Sequence, residues 1–349
     1  RAYLWENDYS NLLSVTSELI GKYSLYTEGE TPYADLFNGN AEDADEIILA
    51  REHTHTTGSI TTGNRLNQAF FLKEMSGGDA LRALTPTGSL VDAYPMADGR
   101  LIHESGSTYD PKDPYRDRDP RLAQSIIYPT STIRESKTMT WVLYDPESEK
   151  SIPGQRYDAK EPSSSGYVWK KYCDWSDHAM IQILDGGVDV IYFRYADVLL
   201  MHAEALLETK GIAASSEIFA IINQLRDRCG GGRVTEANYT SEDALRTLVR
   251  NERRVELANE GLRFFDIRRW KVAEKTVAVS GEGMNGEVYG AFMRLDGVGA
   301  TDRTVMVDGV PCRYVETYNF DPSKHYLFPI PSKDIDLTNG ALSQNSGWD

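Results

Sequence analysis

Cysteine and histidine are scarce in this sequence, which has three cysteines and six histidines in 349 residues. Cys173, Cys229 and Cys312 are far apart and odd in number, so they have neither the ligand spacing of a zinc site nor the pairing of a complete disulfide framework. His53 and His55 are one residue apart, but no other candidate ligands lie near them, which makes a metal clamp a minor alternative. The sequence therefore predicts no metal site and no cofactor.

Long hydrophobic runs and an excess of basic charge are also missing. No stretch approaches the roughly 18–20 apolar residues that a membrane-spanning helix requires. Lys+Arg total 37 against 53 for Asp+Glu, and the net charge of −16 argues against nucleic-acid backbones and anionic membrane surfaces as partners. A neutral or cationic ligand is easier to accommodate. The hydrophobic content of 40% is typical of a globular chain, and the length allows one large domain or two ordinary ones.

Catalytic and ion-binding motifs are missing too. The sequence contains no G-x-S-x-G, no H-E-x-x-H and no phosphate-binding glycine loop. The acidic run at 43–46 lacks the glycine and the spaced glutamate of a calcium loop, so a solvated turn is favoured there. The aspartates of 110–119 are interspersed with arginines, which favours local ion pairs and Asx turns over a metal site. These absences do not exclude a glycosidase, because its two carboxylates have no fixed local signature.

Three successive helical patterns occupy residues 191–270. The first ends at Gly211, the second ends before Gly230, and the third opens with an acidic N-cap and continues beyond Gly261. Long apolar stripes joined by short glycine-containing turns predict three helices in antiparallel succession. A further apolar stripe over 5–20 predicts a helix at the start of the chain, packed near these three.

Two carboxylates interrupt the apolar face of the third helix. Glu252 and Glu256 continue the stripe that begins at Leu245, so both side chains should point into the core. Buried carboxylates need partners, and we expect at least one of them to meet an arginine from 263–269. A glycosidase-like acid and base pair is the alternative, but an ion-pair network that joins the helices is favoured.

The middle of the chain differs in composition from this helical part. Residues 58–185 are rich in Gly, Pro, Ser, Thr and Asp, and the apolar runs between them are short. Brief helices are expected at 64–74 and at 90–94, the second after Pro86. The middle segment is therefore predicted to consist mostly of loops that side-chain hydrogen bonds must hold in place.

The two ends of the chain have their own signatures. Asp308 and Gly309 lie between β-branched runs and predict a two-residue hairpin turn, while Pro311 predicts that its strand is at a sheet edge. A short helix is expected at 332–336. At the other end the chain starts directly in a helical pattern, with no initiator Met and no signal peptide, which we interpret as a fragment or processed form of a longer protein.

Four ordered segments resemble the hallmark segments of the SusD/RagB family of outer-membrane nutrient-binding lipoproteins. They cover residues 86–348 and read PTGSLVDAYPMADG with YRDRDPRL, FRYADVLLMHAEAL, NERRVELANEGLRFFDIRRW, and YLFPIPSKDIDLTNGALSQNSGW. The resemblance implies a mainly α fold, an α-α superhelix of tetratricopeptide-like helical hairpins, with long loops and a few short β-hairpins. It implies one domain over 1–349 that lacks its N-terminal part, divided into a helical core at 1–25 and 186–270, a loop-rich segment at 58–185, and a hairpin-containing segment at 271–349.

The resemblance also implies a function. Proteins of this family bind an oligosaccharide or a similar nutrient at the cell surface without catalysis and deliver it to a SusC-like TonB-dependent transporter of the outer membrane. A lipid anchor would belong to an N-terminal part that is absent from this chain. Two alternatives from other classes stay open: an α-rich glycoside hydrolase that uses paired carboxylates, and a helical scaffold for protein interactions.

Aromatic residues are concentrated at 141–175, where seven occur in 35 positions. Because sugars present apolar C–H faces ringed by hydroxyls, a glycan site needs aromatic platforms with polar groups beside them. The predicted ligand-binding residues are Trp141, Tyr144, Tyr167, Trp169 and Trp175. The alternative is that these rings pack the loops onto the helical core. We expect at least one of the three tryptophans to be solvent-exposed in a concave surface.

Overall fold

The computed structural model describes residues 1–54, 63–71, 81, 83–135, 140–142, 155–157, 163–173, 183–277, 281–292 and 303–348, and for 132–135, 140–142 and 155–157 it describes the backbone alone. The helices are α1 (Ala2–Trp5), α2 (Tyr9–Leu19), α3 (Pro32–Asp35), α4 (Leu66–Phe70), α5 (Gly88–Ala93), α6 (Pro120–Ser125), α7 (Tyr195–Lys210), α8 (Ser215–Cys229), α9 (Glu242–Glu256), α10 (Arg263–Arg269) and α11 (Ser332–Leu337). The strands are β1 (Ile47–Arg51), β2 (Ile126–Ile127), β3 (Thr132–Glu135), β4 (Thr140–Val142), β5 (Gln155–Tyr157), β6 (Val168–Trp169), β7 (Val190–Arg194), β8 (Gly286–Phe292), β9 (Thr304–Val307) and β10 (Val310–Tyr318).

The helical core is built around α7. Its residues from Tyr195 to Leu207 are all buried, because α2, α8 and α9 pack against it. The helix ends at Gly211, whose φ of +59° is a conformation that residues with a side chain rarely adopt. Both the end of this helix and the packing of the first long helix beside it confirm the sequence prediction. The mainly α, superhelical fold class is confirmed as well.

The relative directions of the three core helices differ in part from the prediction. The end of α8 and the start of α7 meet, since Arg228 and Arg194 bind the same carboxylates, so α7 and α8 are antiparallel. Contacts of Asp197 with Arg253 and of Glu208 with Arg246 make α7 and α9 antiparallel too.

In contrast, α8 and α9 run in the same direction, and the prediction of antiparallel succession is wrong for this pair. Arg226 contacts Glu252 and Arg228 contacts Glu256, so the C-terminal ends of the two helices lie side by side. The physical reason is the connection 230–241, which is not a tight turn. It runs back along α8, where Val234 exchanges hydrogen bonds with Asn223, and so returns the chain to the start of that helix before α9 begins.

The ends of the predicted helical span also need correction. Its first residues form β7, which pairs antiparallel with β1, for example Ile191 with Ala50. At the other end the third helix stops at Glu256 and a separate helix, α10, follows. Asn259 and Gly261 in the intervening turn have φ values of +62° and +76°, and a helix cannot continue through left-handed residues. The N-terminal stripe is likewise split into α1 and α2, with Asp8 capping α2.

The C-terminal sheet has the strand order β8-β10-β9. Val307 pairs with Val310 across Asp308 and Gly309, which confirms the predicted two-residue turn. The prediction that Pro311 marks an edge strand is wrong, because β10 is the central strand. Proline is tolerated there because position 311 is a non-hydrogen-bonded position toward β9, and among the described residues the pairing with β8 begins at Cys312.

The remaining short elements agree with expectation in kind. The helix expected at 64–74 is described as Leu66–Phe70, the one at 90–94 as Gly88–Ala93, and the one at 332–336 as Ser332–Leu337. All three cysteines are buried. Within the described ranges, no helix has the length and hydrophobicity that crossing a bilayer requires.

Candidate functional site

The two carboxylates singled out in α9 are completely buried, as predicted. Glu256 accepts hydrogen bonds from Arg194 at 2.8 Å and from Arg121 at 2.9 Å, and it also contacts Arg228. Glu252 lies beside it and accepts from the same Arg121 at 2.6 Å. Each carboxylate oxygen therefore faces a guanidinium group.

These contacts belong to a larger buried network, which we call the ionic core. Its carboxylates are Glu46, Asp119, Glu252, Glu256 and Glu260, and its cations are Arg121, Lys171, Arg194, Arg226 and Arg228. The members come from α6 and its N-cap, α8, α9 and the turn after it, the loops before β1 and after β6, and the end of β7. Because fully buried charges are tolerated only when they are paired and hydrogen-bonded, the ionic core joins the loop-rich segment to the helical core.

The predicted source of the arginines is wrong. Arg269 contacts Glu204 on α7 and lies 2.8 Å from Asp266, and Arg263 donates to the carbonyl oxygen of Glu282. The segment 263–269 thus turns toward α7 and the loop before β8, whereas Glu252 and Glu256 point to the opposite side of α9 toward α6, α8 and β7. Helical spacing places a side chain on a face, but it does not tell which distant segment covers that face.

The ionic core cannot supply an acid and base pair. Burial alone would raise the pKa of the Glu256 carboxyl, but the guanidinium groups of Arg228, Arg194 and Arg121 hold that pKa well below its usual value. A general acid needs a pKa near the working pH and access to the substrate, and this carboxylate has neither. The favoured interpretation of the pair as an ion-pair network that joins helices agrees with this geometry.

The two other acidic stretches are also structural. Glu46 at the end of the 43–46 run is fully buried against Arg194 and Arg228, so the expectation of a solvated turn is wrong at that residue. In 110–119, Asp110 accepts a turn hydrogen bond from Lys112 and Asp113 pairs with Arg116, as expected. Among the described residues, no group of three or more His, Cys, Asp or Glu side chains is placed to hold a metal ion.

A cleft of about 440 Å³ opens beside the turn between α9 and α10, and we call it the aromatic cleft. Trp169 lies within its wall and is 7% exposed, whereas Phe264 and Tyr318 are 37% and 40% exposed. Leu257, Leu262 and Met284 add apolar surface, and the polar groups come from Arg254, Asn259 and Arg263. Apolar walls with a few convergent polar groups are typical of small-molecule binding sites.

Local sequence explains how α10 presents its rings. Phe264 and Phe265 are consecutive residues of one helical turn, so they point in different directions. Phe264 lines the aromatic cleft and stacks against Phe328 with 5.9 Å between ring centroids. Phe265 instead stacks against Trp5 at 5.1 Å. The guanidinium carbon of Arg268 lies 3.5 Å from the centroid of Phe264 and covers part of that ring. The rest of the ring is exposed and can contact a ligand in the cleft, and the adjacent ring serves as its natural control.

The described side chains of the aromatic cleft supply apolar surface and hydrogen-bond donors. No Asp, Glu or His occurs among the described residues that line it. Arg263 and Asn259 can donate hydrogen bonds to hydroxyl or carbonyl oxygens. Burial, and then a hydrogen bond donated to the carboxylate of Glu316, raise the pKa of Tyr318 to about 12, so its phenol keeps its proton and its oxygen can accept a hydrogen bond from a ligand hydroxyl.

The five predicted ligand residues lie in different surroundings. Tyr167 is 4% exposed, its hydroxyl lies 3.3 Å from that of Tyr115, and it packs in the core. Trp169 is in the same core cluster but also lines the aromatic cleft. Tyr144 and Trp175 lie outside the described residues, and the side chain of Trp141 does too.

Sequence reasoning missed Phe264, Met284 and Tyr318, which line the aromatic cleft with Trp169. The paired phenylalanines of RFFDIRR carry a usable signal, because two adjacent rings on a short helix cannot both face one core. Tyr318, at the end of β10, carries no local signal of this kind.

Comparison with known proteins gives consistent matches. The sequence profile of the SusD family matches residues 45–348. SusD-like protein P2 of Formosa agariphila is 30% identical over 169 residues, which cover 47% of this chain and 27% of that protein. SusD-like protein P38 of the same organism is 34% identical over 99 residues, or 27% of this chain and 18% of that protein.

Solved structures share the fold. A SusD-like carbohydrate binding protein of Bacteroides fragilis has a TM-score of 0.71 at 24% identity, covering 97% of this chain and 62% of that one. Another SusD-like protein of that species has a TM-score of 0.67 at 23% identity, covering 99% and 63%. Surface glycan-binding protein A of Bacteroides fluxus has a TM-score of 0.56 at 18% identity, covering 99% and 60%. This chain therefore spans less than two thirds of the length of these relatives.

Proposed function

This chain belongs to the SusD family, and from that premise we propose that it binds an oligosaccharide or a similar nutrient at the cell surface without transforming it. We further propose that it delivers the nutrient to a SusC-like TonB-dependent transporter of the outer membrane. A lipid anchor outside this chain would attach the protein to that membrane. The names of two structural relatives, a carbohydrate binding protein and a surface glycan-binding protein, support the ligand class.

The observation that carries the proposal is the aromatic cleft. Phe264 and Tyr318 offer exposed ring surface, and Arg263 and Asn259 lie beside them as hydrogen-bond donors. A pyranose ring has apolar C–H faces and a rim of hydroxyl groups, so rings and donors in this arrangement match both parts of its surface.

Calorimetric titration with a panel of oligosaccharides tests the aromatic cleft. We expect Phe264→Ala to remove about 1–2 kcal/mol of binding free energy, a five- to thirtyfold rise in Kd, because the ligand loses a ring face. Phe265→Ala is the matched control, since it removes the same side chain one position away and outside the cleft.

The comparison of the two variants decides the location of the site. Both variants must keep the far-UV circular dichroism spectrum of the parent, and their denaturation midpoints must differ from that of the parent by the same small amount. Equal affinities of Phe264→Ala and Phe265→Ala for every oligosaccharide that the parent binds would exclude the aromatic cleft as the glycan site.

Trp141, Tyr144 and Trp175 stay in the proposal as further ligand residues. Their support is the concentration of aromatic residues at 141–175 and the position of Trp169 in the wall of the aromatic cleft. Alanine at each of the three, assayed in the same titration, tests them. Undiminished affinity in all three folded variants would remove them from the site.

The alternatives predict different results in the same samples. A hydrolase would release reducing ends from the panel, whereas a binding protein would bind without turnover. An interaction scaffold would show neither.

Co-purification of a TonB-dependent transporter with the tagged protein from an outer-membrane extract tests delivery, and its absence would limit the proposal to glycan capture.

A further inference from the structure

A second cleft, of about 390 Å³, lies next to the aromatic cleft and contains three arginines. Arg250 and Arg254 are one helical turn apart on α9, and Arg263 is the first residue of α10. We call it the arginine cleft. We infer that it binds an oxyanion substituent of an acidic sugar, either the carboxylate of a uronic acid or a sulfate ester. This inference rests on the proposed glycan-binding function.

The three arginines differ from those of the ionic core in their partners. Arg121, Arg194 and Arg228 each contact carboxylates at hydrogen-bond distance. Within the described part of the chain, no carboxylate lies within 4.0 Å of the guanidinium nitrogens of Arg250, Arg254 or Arg263. A set of convergent guanidinium groups that no neighbouring carboxylate contacts is what a protein presents to an external oxyanion.

Some N–H groups of these arginines bind the neighbouring loop and helix. Arg254 donates to the hydroxyl of Ser89 at 2.7 Å and to the carbonyl oxygen of Gly281 at 3.1 Å. Arg263 donates to the carbonyl oxygen of Glu282 at 2.6 Å. A guanidinium group has five N–H donors, so these contacts fix the two side chains and leave further donors for a ligand.

Arg250 is the arginine most available to a ligand. Its guanidinium carbon lies 4.7 Å from the centroid of the Trp270 ring, and no hydrogen bond or ion pair joins it to another described residue. The aromatic face supports the flat group without using its N–H donors.

The electrostatic state of the cleft favours an incoming anion. Burial, and then the charge of Arg254, lower the pKa of Arg263 to about 9. Burial also lowers the pKa values of Arg250 and Arg254. The three guanidinium groups are therefore charged in a partly desolvated place where their charge is unfavourable, and an anion bound among them would stabilise that charge.

Carboxylates do line the arginine cleft, but each has its own partner. Asp92 accepts a hydrogen bond from the hydroxyl of Tyr289, and burial raises the pKa of its carboxyl. Glu104 accepts from the backbone N–H of Leu101 at 3.1 Å. Glu282 pairs with Lys275 at 3.2 Å.

The net charge of −16 does not oppose this local binding. At physiological ionic strength the Debye length is about 8 Å, so carboxylates elsewhere on the surface are largely screened from the cleft. Because Arg254 and Arg263 line both clefts, an oligosaccharide on the aromatic surface has their guanidinium groups beside it. One acidic substituent can be recognised here, although a uniform polyanion is disfavoured by the whole surface.

The test is calorimetric titration of the full chain with three oligosaccharides of equal length: one containing glucuronate, one sulfated and one neutral. We expect at least one acidic oligosaccharide to bind more tightly than the neutral one. Arg250→Gln should lower the ratio of acidic to neutral affinity by about tenfold, because a charge-assisted hydrogen bond is lost. Arg250→Lys should restore part of that ratio, since it keeps the charge and loses the planar fork.

Arg116→Gln is the matched control, because it removes the same charge from an exposed ion pair outside the cleft, and it should leave the ratio unchanged. The acidic ligand whose binding depends on Arg250 identifies the oxyanion as carboxylate or sulfate. Failure of both acidic oligosaccharides to bind, or an unchanged ratio in Arg250→Gln, would overturn the inference. The effect of Phe264→Ala on the neutral oligosaccharide is independent of these outcomes, so the proposed function can stand when the arginine cleft fails.

Discussion

Replacing Glu256 by glutamine keeps the shape of the side chain and removes its charge from a site with three guanidinium groups. The carboxylate accepts from Arg121 and Arg194 at 2.9 and 2.8 Å and contacts Arg228. Glutamine retains one acceptor oxygen, but its amide nitrogen would face guanidinium donors. All the groups concerned are buried, so water cannot replace the lost contacts.

The magnitude follows from that burial. Removing one partner of a buried ion pair costs about 3–5 kcal/mol, because the remaining charges are left uncompensated. Glu217→Gln is the control: it removes the same group from a carboxylate that is 52% exposed and lies 3.6 Å from the imidazole of His202 and 3.8 Å from the ammonium of Lys210. An exposed pair of this kind contributes less than about 1 kcal/mol.

Equilibrium unfolding in urea, followed by circular dichroism and tryptophan fluorescence, measures the difference. We expect Glu256→Gln to shift the midpoint to much lower urea at an unchanged m value, and Glu217→Gln to leave it nearly in place. Equal midpoints for the two variants would show that the ionic core contributes no more than a surface ion pair, and the reasoning from burial would be wrong.

Two further predictions concern stability. The carboxyl groups of Glu256 and Glu260 have lower pKa values in the folded chain than usual, so the unfolded chain binds more protons in acid. Stability should therefore fall as the pH drops below about 5. A melting temperature that is the same at pH 7 and pH 4 would contradict this. Gly232→Ala would place a methyl group 2.2 Å from the backbone of Asp98 and should cost about 1–3 kcal/mol or more in urea unfolding. In Gly230→Ala the added methyl group would meet open space, and only the φ of +72° is unfavourable, so this variant should lose about 1 kcal/mol. Equal losses of unfolding free energy in Gly232→Ala and Gly230→Ala would contradict the prediction.

The burial of Glu252 and Glu256 could be predicted from sequence because one helix determines it. Their partners could not, since Arg121 lies 131 residues before Glu252 and Arg194 lies 62 residues before Glu256. The same limit explains the error in helix direction. The glycines after α8 indicate that the helix ends, but they do not show that residues 230–241 return along it.

The candidate site was predictable only in its chemistry. Aromatic enrichment at 141–175 singled out both Trp169, which lines the aromatic cleft, and Tyr167, which is in the core, because composition does not tell which side of a loop faces solvent. Phe264 and Tyr318 are 54 positions apart and meet only in the folded chain. Clefts formed by distant segments have no local signature, and this holds for the arginine cleft as well.

The ionic core also acts as a set of non-covalent cross-links. The contact of Glu46 with Arg228 closes a loop of 182 residues, and that of Arg121 with Glu252 closes one of 131. In a disulfide, loops of this size restrict the unfolded chain most strongly, whereas the links here are ion pairs between side chains. Closure of the loop-rich segment onto the helices therefore depends on the ionisation of carboxylates, so protons rather than reductants open it.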